Sequence, residues 1–219
     1  MKTDAQLQQD VMNELKWDPS VKAAEIGVHV KDGVVTLSGY VDTYSKKWAA
    51  ERTAVRVFGV KAVAVEIQVR VPSSLKRPDE SIARAAANAL EWDASVPDDR
   101  VKVQVQNGLV TLSGEVDWWY QKNAAEEAVC RLMGVISVSN GITIKPESKL
   151  LDAEVKEKIE SAFQRNAVLD ARRITVETHG DKVILRGSVR NWVERAECEW
   201  AAWAAPGVSE VESHITINP

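Results

Sequence analysis

Two cysteines and three histidines in 219 residues leave little for metal or thiol chemistry. Cys130 and Cys198 sit at non-equivalent places in helical patterns, which reads as two reduced packing thiols. His29, His179 and His214 are far apart, and His29 falls inside a strand pattern, so neither residue type shows the spacing of a zinc site. No stretch approaches about 18 uninterrupted apolar residues, so no spanning helix is expected. The opening Met1–Asp10 lacks the apolar run of a secretory signal. The chain as given therefore reads as cytoplasmic, whereas a chain trimmed of its leader would be periplasmic. Net charge is −4, and no third of the chain is strongly basic, which argues against nucleic acid as the partner.

Against these absences stands a threefold repetition. Asp32-Gly33-Val34-Val35-Thr36-Leu37-Ser38-Gly39 returns as Asn107-Gly108-Leu109-Val110-Thr111-Leu112-Ser113-Gly114 and, altered, as Gly180-Asp181-Lys182-Val183-Ile184-Leu185-Arg186-Gly187. Phe58-Gly59-Val60, Met133-Gly134-Val135 and Pro206-Gly207-Val208 keep the same step. Two markers in one register define three copies of one unit, spanning residues 1–72, 77–146 and 149–219. Units this small bury only about 60% of their unfolded surface, so neighbours are expected to share apolar faces.

Within a unit, Leu7, Val11, Met12 and Leu15 share one helical face, with Thr3 or Asp4 available as the cap. The equivalents run over 79–90 and 152–163. Period-two alternation follows at Ile26, Val28 and Val30. Asp32-Gly33 and Asn107-Gly108 then supply the pair of positive-φ positions that a tight hairpin needs. Gly39, Gly114 and Gly187 lie inside the second strand, where glycine is unfavourable. They mark a bulge, a backbone packed too close for a Cβ, or the approach of a ligand. A second helix is expected near 43–58, 118–133 and 191–206, with Ala50, Ala54 and Val57 facing inward in the first copy. Gly33 and Gly108 belong to the turns, and Gly59, Gly134 and Gly207 fit the residue that ends a helix. A third alternating segment, such as Val63, Val65, Ile67 and Val69, closes each unit. The fold class is α+β: three tandem α-β-β-α-β repeats, each a small mixed sheet packed by two helices.

This order, with Gly-Val-Val-Thr-Leu-Ser-Gly-x-Val in the hairpin and Gly-Val-x-x-Val opening the last strand, resembles the BON domain, named after bacterial osmotic-shock and nodulation proteins. The likeness covers the whole chain. The third copy departs from it at Gly180-Asp181 and at Arg186. The resemblance implies a binding module for phospholipid membranes or other envelope partners in osmotic-stress physiology, and carries over no catalytic residue and no cofactor. The recurring residues are Gly, Val, Leu and Ala, and Thr36/Thr111 and Ser38/Ser113 have no partnered histidine, so no enzyme is expected.

Eight tryptophans are many for this length. Trp17 and Trp92 are equivalent, and Tyr44, Trp119 and Trp192 all mark the start of the second helix. They form core caps and seams between repeats, or a rim that meets lipid headgroups. Lys46, Lys47, Arg52 and Arg56 surround Trp48 on one helix, and Trp118 and Trp119 stand at the equivalent end in the second copy. Together these seven residues are the candidate surface for a weak, peripheral membrane contact or a partner. The alternative is a soluble stress-response protein that binds proteins, a small ligand or an ion in clefts between repeats.

Overall fold

The computed structural model describes residues 2–147 and 152–218. The end of the second linker, at Ser148, and the start of the third unit lie outside them. Each unit runs helix, two strands, helix, strand. The first holds α1 (Asp4–Trp17), β1 (Ile26–Lys31), β2 (Val34–Val41), α2 (Tyr44–Val55) and β3 (Ala62–Val69). The second holds α3 (Asp79–Glu91), β4 (Val101–Gln106), β5 (Leu109–Val116), α4 (Trp119–Cys130) and β6 (Ser137–Ile144). The third holds α5 (Asp152–Arg165), β7 (Ile174–His179), β8 (Lys182–Val189), α6 (Trp192–Trp203) and β9 (Glu210–Ile217). The three sheets follow one plan. The second strand is central, antiparallel to the first across the hairpin and parallel to the third through the helical crossover.

Thr3, not Asp4, caps α1: its hydroxyl accepts from Gln6 N while the Gln6 side chain accepts from Thr3 N. Asp4 does something the sequence reading missed. Its carboxylate accepts from Asp32 N at 2.8 Å and Gly33 N at 3.1 Å, clamping the hairpin turn to the start of the helix. Asp79 repeats this on Asn107 N (2.6 Å) and Gly108 N (3.0 Å), and Asp152 on Gly180 N (3.1 Å). The acid recurs at the repeat spacing, which is the signal that could have revealed it.

Asp32, Gly33, Asn107 and Gly108 all have positive φ, as their turns require. In the third unit Gly180 alone is positive (φ 63°), and Asp181 is not. Glycine in the first central place suits the II′ turn, so the inverted dipeptide still closes a two-residue hairpin. Gly39, Gly114 and Gly187 are settled as close approaches. The strand register runs through them without a bulge, and an added Cβ would lie 2.0–2.2 Å from the carbonyl oxygen of Glu25, Arg100 or Arg173.

Each core fills the space between helices and sheet. In the first, Leu7, Val11 and Leu15 meet Val35, Leu37, Val41, Ala50 and Ala54. The second helices end earlier than the residue pattern suggested, at Val55, Cys130 and Trp203. Gly59, Gly134 and Gly207 have positive φ but lie in the turn beyond, and Val57 is only half-buried there. Ahead of β6, Val135 is buried while the neighbouring Ile136 is exposed.

The three units close into a ring. Tyr44, the first residue of α2, packs against the core of the second unit. Its counterpart Trp119 stacks on Trp203 of the third unit, centroids 6.2 Å apart and planes 13° apart. The third counterpart, Trp192, packs against the core of the first. A step that returns to its start after three applications is close to a pure rotation.

Candidate functional site

The predicted basic face turns out to be largely occupied by the protein itself. Lys46 pairs with Asp42 at 2.7 Å, and this contact is the first cause holding the Asp42 carboxyl below its ordinary range. Arg56 reaches across to Glu14 at 3.0 Å and Asp18 at 3.4 Å on α1 and the loop after it. Arg52 lies 3.7 Å from Glu127 of the second unit, and its guanidinium sits 4.4 Å from the ring centre of Trp48. Lys47 has no ion pair among the described residues and is half-buried. The cluster is thus brought together, but three of its four cations serve as ties within and between repeats.

The aromatics divide in the same way. Trp119 belongs to a seam. Trp118 is half-buried at the start of α4, where Trp118 N and Asp117 N both donate to the Gln121 side chain at 3.0 Å. Trp17 and Trp92, by contrast, are 82% and 87% exposed at the ends of α1 and α3. They project where a helix breaks into a loop pinned by Asp18 (Ser20 N, 3.0 Å) and Asp93 (Ser95 N, 2.9 Å). The third unit places Arg165 there instead. Sequence alone could not separate these two indoles from the seam residues, because all carry the same side chain.

One polar pair shows how the units vary on a fixed frame. Where the first unit has Asp42 and Lys46, the third has Arg190 and Glu194, hydrogen-bonded with the signs exchanged. Glu194 is buried and also accepts from Arg190 N at 2.8 Å. The second unit keeps the acid as Asp117, held below its ordinary range by Arg100. Both cysteines are free and buried, and burial pushes the Cys198 thiol up to about 12. Among the described residues no group of acids, histidines and cysteines is placed to hold a metal ion. No helix among them is long and apolar enough to cross a membrane.

Three copies of one sandwich, joined by their second helices, define a repeat-built α+β protein. The chain belongs to the BON domain family, whose model matches residues 3–71, 78–146 and 151–219. It is 34% identical over 130 residues to the osmotically-inducible protein Y of Escherichia coli (strain K12). That match takes in 58% of this chain and 65% of the relative, just under two thirds of its length. Among solved structures, two of CdsD, described as a structural protein of the type III secretion system of Chlamydia trachomatis, are 13% and 14% identical. They cover 96% and 100% of this chain and 91% and 100% of their own, with a TM-score of 0.27 each. A likeness at that level carries no inference about this chain.

Proposed function

We propose that this protein is a non-enzymatic binding module of bacterial stress physiology that touches a phospholipid surface through Trp17 and Trp92. The family and the osmotically inducible relative support the setting. The observation that carries the surface is the pair of nearly bare indoles at equivalent places in two repeats. Indole prefers the headgroup boundary, where its ring is shielded and its N–H stays wet. Burying about half of each side chain, roughly 100 Å², is worth about 2 kcal/mol per indole. The paired cations of α2 contribute little, so binding is weakly salt-dependent, which suits a chain of net charge −4. Membranes face both the cytoplasm and the periplasm, and either compartment offers such a surface.

The test is co-sedimentation with phosphatidylethanolamine–phosphatidylglycerol vesicles at low and high salt. The wild type should bind at both, with a blue shift in its tryptophan emission. Trp17→Ala with Trp92→Ala should lower affinity at least tenfold, while the fold survives because neither side chain is in a core. Failure of the wild type to bind, or unchanged binding by the double variant, would overturn this reading.

A further inference from the structure

The seam between the third and first units leaves a cleft of about 580 Å³ beside α2 and α6. Its walls carry Tyr44, Trp48 and Trp192 together with Glu51, Glu126 and Glu197, one glutamate from each repeat. From this arrangement we infer a binding site for a small organic cation of the quaternary ammonium type.

Three observations point to that chemistry. First, the rings already attract cations. Arg52 lies 4.4 Å from the centre of Trp48, and Arg195 lies 4.8 Å from that of Trp192. Indole attracts guanidinium and methylated ammonium by the same ring quadrupole.

Second, three glutamates outnumber two arginines along the cleft. Arg52 and Arg56 line it, but they are spent on Glu127, Glu14 and Asp18. Among the described residues, Glu126 and Glu197 accept only from the neutral Asn140 (3.1 Å) and Asn166 (2.9 Å) side chains, and Glu51 has no ion pair. Tyr44 registers the result: burial first, then Glu126 and Glu51, raise its phenol above the ordinary value.

Third, the walls pair this charge with ring surface, since Tyr44, Trp48 and Trp192 line the cleft beside the three glutamates. The carboxylates are not gathered tightly enough for a metal ion, whereas a bulky, diffuse cation needs no short ligand distances. The volume falls within the range of small-molecule sites. The seam of the first and second units carries the Arg52–Glu127 contact, and that of the second and third carries the Trp119–Trp203 stack. Only at the third does Ala196 stand in place of the bulkier Trp48 and Asn123.

The site stands apart from the membrane reading, because Trp17 and Trp92 do not line it. The experiment is a titration of the full chain with tetramethylammonium chloride and with choline chloride, following tryptophan emission against sodium chloride at equal ionic strength. Saturable change with both ammonium salts and none with sodium is expected. Glu51→Gln, an exposed change that leaves the cores alone, should weaken binding about tenfold, and Trp48→Leu at least as much. Phosphatidylcholine vesicles that compete with choline would name a lipid headgroup as the source. Vesicles that do not compete would name a free solute, and both outcomes support the site. Ammonium salts that act no differently from sodium, or a Glu51→Gln variant that binds as tightly as the wild type, would overturn it.

Discussion

Replacing Gly114 by alanine is the sharpest probe of the fold. Gly114 holds φ 136°, a region that side-chain-bearing residues avoid, and the new Cβ would lie 2.1 Å from Arg100 O and 3.1 Å from its carbonyl carbon. The conformational strain alone costs about 1–3 kcal/mol. The overlap cannot be relieved by turning a side chain, because the atom in the way is backbone. The start of β4 must move by about an ångström, loosening the Val101–Gly114 pair and its packing for about another 1–3 kcal/mol. A total near 4 kcal/mol lowers the melting temperature of a chain this size by roughly 8–16 °C. Gly180→Ala is the control, since its φ of 63° adds strain while nothing lies within 4 Å of the new Cβ. It should lose only about 1 kcal/mol. Both variants, melted beside the wild type by circular dichroism, decide the matter. If Gly114→Ala melts within 2 °C of the wild type, or no lower than Gly180→Ala, the close-approach argument is wrong.

Other outcomes follow from named contacts. Asp79→Ala removes both acceptors from the Asn107-Gly108 turn and should cost about 1–3 kcal/mol by urea denaturation, with Asp79→Asn recovering part of it. Cys198 is fully buried with a thiol pushed up to about 12, so at pH 8 it stays protonated. Ellman's reagent should find neither cysteine in the folded chain, and both once urea unfolds it. Asp18, Asp42 and Asp117 are held below their ordinary carboxyl values in the folded state. Their contribution is complete above the unfolded carboxyl range near pH 4 and is lost as pH falls through the lower folded values. The acid limb of the stability curve should therefore flatten in Asp117→Asn, seen as a smaller loss of melting temperature between pH 5 and 3.

The repeat, the hairpins and the glycines were legible in the chain because each rests on local chemistry. A two-residue turn needs particular φ angles, and a helix or strand face shows its period along a dozen residues. The carboxylates of Asp4, Asp79 and Asp152 keep the repeat spacing too, but their role at the turn was missed because it rests on a contact 28 residues away. The candidate surface was not legible to the same degree. Lys46, Arg52 and Arg56 form a basic stripe on one helix, and only the folded chain brings Asp42, Glu127, Glu14 and Asp18 within reach of them. Nor does the residue type separate Trp119, stacked on Trp203, from Trp17 and Trp92, which stand in solvent. A side chain fixes what a residue can bury, whereas the closure of the ring between the first and third repeats fixes what it does bury. That closure joins residues nearly 150 positions apart, as with Tyr44 and Trp192 on one cleft, beyond the reach of any local pattern.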